Sequence, residues 1–166
     1  MKRSSIAALA LVLASSAGFA AAPAAQALPS RAASKPGQAV ILAFKGSHPE
    51  LNGLRVKALS SPAIYLILDG RRRWIPNPAT YNNLFRDWNG IQSVVDIGSI
   101  DSGSALSDGA FLGKASNAPA VYLFSNGVKR WITSPAAMDK YYFDWRKIQT
   151  LPPGAVSSIP TGAPIS

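Results

Sequence analysis

The side chains best suited to meet a ligand occur twice in this sequence. Tyr65, Arg72 and Trp74 return 57 residues on as Tyr122, Lys129 and Trp131. Two aromatic rings beside a cation can stack on a sugar ring or a base, or hold an acidic peptide. That chemistry is recognition. The residue sets for catalysis are thin. The chain has one histidine, one glutamate and no cysteine, and it carries no G-x-S-x-G, H-E-x-x-H or G-x-x-x-x-G-K pattern. His48 with Glu50 falls short of the three or four ligands a metal needs, and a lone loop histidine reads as solvated surface. Asp96, Asp101 and Asp108 miss the EF-hand spacing. No metal, no cofactor and no enzymatic activity are expected. On a strand Arg72 points away from Arg71 and Arg73, so the arginine run is no continuous stripe and no specific nucleic-acid partner is expected.

Hairpins must position these residues. Asp69-Gly70 and Asn126-Gly127 are strong signals for two-residue type I′ turns, which need positive φ at both positions. A two-residue loop fixes the register. Tyr65 then lies opposite Trp74, Leu66 opposite Arg73, Tyr122 opposite Trp131 and Leu123 opposite Arg130. One face carries Tyr, Trp and Arg72 or Lys129; the other carries the aliphatic residues with Arg73 or Arg130. A directly opposed Tyr–Trp pair contributes about 0.2–1 kcal/mol as packing. It can equally serve as a platform, although large aromatic residues are more often buried. Arg73 and Arg130, on an apolar face, need partners. Asp87 and Asp144 are expected to supply them, within a repeat or swapped between repeats.

Helices are expected after each hairpin, capped by Asn77 and Ser134 with Pro78 and Pro135 at the first helical position. Tyr81, Leu84, Phe85 and Trp88 recur at i, i+3, i+4 and i+7, as do Met138, Tyr141, Tyr142 and Trp145. Trp88 and Trp145 are therefore assigned to the core. Together Arg73, Asp87, Trp88, Arg130, Asp144 and Trp145 form the structural set. Residues 54–58, 91–97 and 111–115 read as further extended runs, 98–109 as a Ser/Gly/Asp linker and 152–166 as an irregular strap.

Residues 57–92 and 114–149 share 16 of 36 positions without a gap. Two units this small are expected to bury their apolar faces against each other. The fold class expected is α+β: two tandem repeats, 54–110 and 111–166, each a three-stranded antiparallel meander or hairpin followed by a short helix, packed with pseudo-twofold symmetry. The alternative is two beads on a linker, each marginal in size. Residues 38–166 form the repeat domain, 38–44 opening it with a short apolar strand whose place in the sheet is left open.

The first 27 residues read as an export signal: Lys2 and Arg3, an apolar stretch at 6–14 too short to span a bilayer, and an Ala25-Gln26-Ala27 cleavage site. Residues 28–37 read as a flexible leader. A secreted or periplasmic protein is expected, with no transmembrane segment after cleavage. The formal net charge is +9, which favours anionic partners: an envelope polymer, a glycan or an acidic protein.

The pattern Tyr-Leu-x3-Gly-x-Arg/Lys-Arg-Trp-Ile-x2-Pro-Ala, with the later Trp, Ile and Ile159-Pro160-Thr161-Gly162, resembles a tandem repeat of exported bacterial proteins, sometimes found beside cell-wall hydrolase domains. In the first copy Leu106-Ser107-Asp108-Gly109 is read as standing where the second has Ile159 to Gly162. The resemblance implies an accessory module. The expected function is a non-enzymatic binding module for an anionic envelope or extracellular partner, with a glycan among the candidates. The rivals are a structural or protein-interaction module, such as an adaptor or inhibitor of a secreted enzyme, and a degenerate hydrolase.

Overall fold

The structure is a computed structural model and describes residues 44–166. The signal at 1–27, the leader at 28–37 and the apolar run through residue 43 lie outside the described residues. The described chain is α+β, with two four-stranded mixed sheets and short helices.

In the first sheet β1 (Arg55–Ala58), β2 (Ile64–Leu68) and β3 (Arg71–Trp74) form an antiparallel meander. Helix α1 (Pro78–Leu84) follows, and β4 (Gln92–Val94) then pairs parallel to β1. The second sheet has β5 (Phe111–Ala115), β6 (Val121–Ser125), β7 (Val128–Trp131), helix α2 (Pro135–Lys140) and β8 (Gln149–Leu151), with α3 (Pro153–Ser157) beyond it. The strand orders are β3-β2-β1-β4 and β7-β6-β5-β8. The expected three-stranded meanders each gain a parallel fourth strand.

Both hairpins turn as their sequences dictate. Asp69 and Gly70 take φ of 58° and 71°, Asn126 and Gly127 54° and 72°, the left-handed pair that a type I′ turn requires. The register follows: Tyr65 opposite Trp74, and Tyr122 opposite Trp131. The Asn77 side chain caps α1 through the Thr80 amide at 2.8 Å, and Ser134 caps α2 through the Ala137 amide at 3.1 Å.

One hydrophobic core serves both halves. Leu66, Leu68, Leu84 and Phe85 from the first pack with Leu112, Leu123, Tyr141 and Phe143 from the second. This rules out separate beads. Each sheet covers its other face with a smaller cluster: Val56, Ile67, Val94 and Ile100 with Tyr65 in the first, Ala115, Phe124 and Val156 with Tyr122 in the second.

The helices stop earlier than the apolar spacing predicts. α1 ends at Leu84, because Phe85 is already extended and pairs with Phe143. The Asp144 amide donates to the Leu84 carbonyl at 2.9 Å, and the Arg86 amide to the Tyr142 carbonyl. Trp88 therefore never reaches the helix face assigned to it. In the second half Tyr142 takes a left-handed φ of 59°, so Phe143 enters the core in its place and Trp145 opens a surface 3₁₀ turn.

The linker expected at 98–109 is ordered against β3. Arg72 donates its amide to the Asp101 carbonyl, Gly103 to Arg72, and Leu106 to Trp74, each at 2.9 Å. The tail does the same on β7: Lys129 to Pro160, Gly162 to Lys129 and Ile165 to Trp131. Each strap covers a sheet edge that would otherwise expose unpaired backbone groups. A Cβ on Gly103 would touch Arg71 and Arg73, and one on Gly162 would touch Val128 and Arg130. The counterpart of Ile159-Pro160-Thr161-Gly162 is thus Ile100-Asp101-Ser102-Gly103, correcting the placement at 106–109. Among the described residues no helix is long and apolar enough to cross a membrane.

Candidate functional site

The two cations of the doubled motif are committed to backbone. The Arg72 guanidinium donates to the Ile97 carbonyl at 2.7 Å and to the Ile100 carbonyl. The Lys129 ammonium donates to the Val156 and Ile159 carbonyls, both at 2.6 Å. These carbonyls close the 3₁₀ turn Ile97–Ser99 and helix α3. The last carbonyls of a helical segment lack internal partners and carry partial negative charge, so a cation is stabilised there. Arg72 lies 6.0 Å from the centre of the Tyr65 ring and Lys129 5.9 Å from that of Tyr122. Both tyrosines are half-buried. The side chains placed by sequence in a ligand site are therefore working as internal supports, apart from the tryptophans.

The tryptophans stand out in solvent. Trp74, Trp88, Trp131 and Trp145 are 45%, 46%, 44% and 45% exposed. The assignment of Trp88 and Trp145 to the core is corrected, for the reasons of helix length given above. Trp74 and Trp88 line a cleft of about 390 Å³ with Pro62, Ile64, Ile75 and Tyr81. No residue lining it is an acid or a base apart from the Tyr81 phenol. Tyr81 stacks on Trp88 with ring centres 4.1 Å apart. Its hydroxyl accepts from Arg55 at 2.6 Å and donates to the Asp87 carbonyl at 2.9 Å. Burial raises the Tyr81 pKa against the lowering effect of Arg55, so the cleft is uncharged at neutral pH. The Trp88 indole N–H donates to Asn82 at 2.9 Å. One face and the polar edge of Trp88 are thus fixed, and the ring presents its remaining surface. In the second half Pro119, Ile132 and Pro135 stand 57 residues on from Pro62, Ile75 and Pro78, while Met138 replaces Tyr81.

Arg73 and Arg130 do not pair with Asp87 and Asp144. Both reach Asp69, in the turn of the first hairpin. Arg130 holds its two carboxylate oxygens at 2.8 Å each, and Arg73 donates to one of them at 2.8 Å. The carboxylate of one repeat thereby ties down an arginine of the other. Hydrogen bonding by Arg130 is the main cause holding the Asp69 pKa below the ordinary carboxylate value, against the opposing effect of burial. Asp87 instead accepts from the Asn89 amide at 2.7 Å and the Tyr142 hydroxyl at 2.9 Å. Asp144 caps the turn Trp145–Lys147 and binds Arg146. Both aspartates satisfy nearby groups because the early helix ends turn them away from the sheets.

Two residues escaped the sequence reading. Arg55 is buried at 4% exposure, bonded to Tyr81 and the Asp87 and Asn89 carbonyls, with its guanidinium 3.9 Å from the centre of the Tyr142 ring. Leu112 occupies the same position in the second copy, so repeat comparison gave no signal. His48 is also buried, at 1%, contrary to the solvated loop expected. Its ring lies 2.6 Å from the Glu50 carboxylate and 3.1 Å from the Phe44 carbonyl, stacked on the Phe44 ring. Among the described residues no group of three or more His, Asp or Glu side chains converges to hold a metal ion.

What this surface can do chemically is stack and desolvate: indole faces over an apolar, uncharged floor. Compared with family models, curated proteins and solved structures, the chain matches none.

Proposed function

We propose that the chain is an exported, non-enzymatic binding module for a cell-envelope or extracellular glycan, acting in a secreted or periplasmic setting. It is built from two repeats packed with pseudo-twofold symmetry. The observation that carries this reading is the near-equal exposure of four tryptophans at paired positions. Large aromatic side chains are normally buried unless they serve a surface. Indole faces stack on the C–H faces of sugar rings, and an apolar floor desolvates them. The export reading rests on the N-terminal sequence pattern alone.

The commitment of Arg72 and Lys129 to carbonyls moves the partner away from an anionic polymer as such and toward an uncharged stretch of glycan. A second reading, a protein-interaction module, is favoured by the apolar lining of the Trp74–Trp88 cleft. Pulldown separates the two. The wild-type protein and a variant with all four tryptophans changed to alanine are tested on purified peptidoglycan, chitin and cellulose, with a proline-rich peptide resin in parallel. Retention on at least one polysaccharide, lost in the variant, supports the glycan reading. Retention on the peptide resin alone overturns it in favour of the interaction module.

A further inference from the structure

Duplication of the site has a consequence for stoichiometry. Trp74 and Trp88 belong to the first repeat, Trp131 and Trp145 to the second, and the exposures of the four agree within 2%. Each pair has one member at the end of the returning hairpin strand and one just past the helix. Each pair also carries the same proline and isoleucine positions around it. Resting on the glycan reading above, we propose that each chain is divalent: it carries two separate sites for the same uncharged glycan, one on Trp74 and Trp88, the other on Trp131 and Trp145.

The ligand chemistry follows from what the first site offers. Its lining has no acid or base other than the Tyr81 phenol, which is hydrogen-bonded internally. The Trp88 N–H is taken by Asn82. The indole therefore offers its ring and not its donor. A sugar ring needs an apolar face to lie on. An extended peptide would require donors for its carbonyls, and Trp88 has none to give.

The two sites are not equal. Tyr81 and Asn82 hold Trp88 by one face and one edge. Met138 and Asp139 stand in their places at Trp145, and Asp139 is engaged by Arg86. Trp145 must therefore be ordered on binding. Immobilising one such side chain weakens affinity by roughly 2- to 10-fold, so the first site is the tighter of the two. With both sites on one shared core, a long polymer gains from double attachment wherever its geometry reaches both.

The test uses the four indole N–H resonances of the full mature chain, titrated with a soluble hexamer of N-acetylglucosamine and, in parallel, cellohexaose. The expected result is that all four move. Trp74 and Trp88 saturate together, at a concentration roughly 2- to 10-fold below that for Trp131 and Trp145. A Trp74→Ala/Trp88→Ala variant should keep the second pair's curve unchanged, which also shows that it is folded. Movement of one pair only overturns divalency and leaves the glycan reading standing. Loss of the second pair's response in the variant overturns it too, as a single composite site. No response to either sugar overturns both readings together. The wild-type titration needs no variant to decide between these results.

Discussion

Replacing Asp69 by Asn isolates the link between the two repeats. Asn is the residue at the matching turn position of the second hairpin, where Asn126 takes φ 54°, so the turn survives and only the charge is lost. In the native protein the carboxylate accepts two bonds from Arg130 and one from Arg73. Arg73 and Arg130 side chains are 19% and 12% exposed, but Asp69 is 43% exposed. A hydrogen bond to a charged group is worth about 1.5–3 kcal/mol when shielded, and an exposed ion pair about 0.2–1 kcal/mol. The half-exposed clamp falls between, at about 1–2 kcal/mol. With a urea slope of about 1–3 kcal/mol/M for a domain of this size, the midpoint should fall by roughly 0.5–1 M.

The pH dependence gives the argument its sign. Hydrogen bonding by Arg130 holds the Asp69 pKa below its ordinary value. A carboxylate so depressed stabilises the fold above the unfolded pKa of about 3.9, and that contribution is lost as pH falls through the folded value. Urea melts followed by far-UV circular dichroism should show wild type more stable than Asp69→Asn at pH 7, with the gap closing in acid. An unchanged midpoint at pH 7, or a gap that stays constant into acid, refutes the clamp.

Other expectations follow from burial and partnering. Lys129→Met should lower stability by about 1.5–3 kcal/mol, because the ends of α3 and the tail lose a charged donor. It should leave glycan affinity unchanged, and a loss of affinity in a folded variant would return Lys129 to the ligand site. Arg55→Ala should cost about 2–4 kcal/mol in a chemical melt, since two carbonyls and the Tyr81 hydroxyl lose their donor in the interior. Trp74→Ala and Trp145→Ala should each stay within about 1 kcal/mol of wild type, because roughly half of each ring is already in water. A larger loss in either melt would mean that the ring is core.

The hairpins were legible in the sequence because their causes are local. A two-residue Asp-Gly or Asn-Gly turn sets its own register, and Asn77-Pro78 and Ser134-Pro135 cap the helices that follow. The parallel strands β4 and β8 were not, since three residues pairing with a strand far back in the chain leave no periodic mark. The tryptophans were misplaced by a period that ran past the end of its helix. Phe85 and Tyr142 leave helical geometry because their neighbours pair across the two halves, a contact no single-repeat pattern encodes. Arg73, Arg130 and Asp87 were paired by their shared recurrence. The actual partner, Asp69, is an Asn in the second copy, so counting identities hid it. Arg72 and Lys129 looked available because their acceptors are carbonyls at the ends of short helical segments, which the sequence does not announce.

The central claim is that recognition resides in the exposed indoles while the basic residues of the motif are architectural. The measurement closest to it is a tryptophan-fluorescence titration with the uncharged N-acetylglucosamine hexamer, run at low and at high salt, on wild type and on the four-tryptophan variant followed by competition against immobilised peptidoglycan. The account predicts an affinity that does not change with salt and is lost with the tryptophans. An affinity that falls steeply with salt and survives removal of the tryptophans would contradict it.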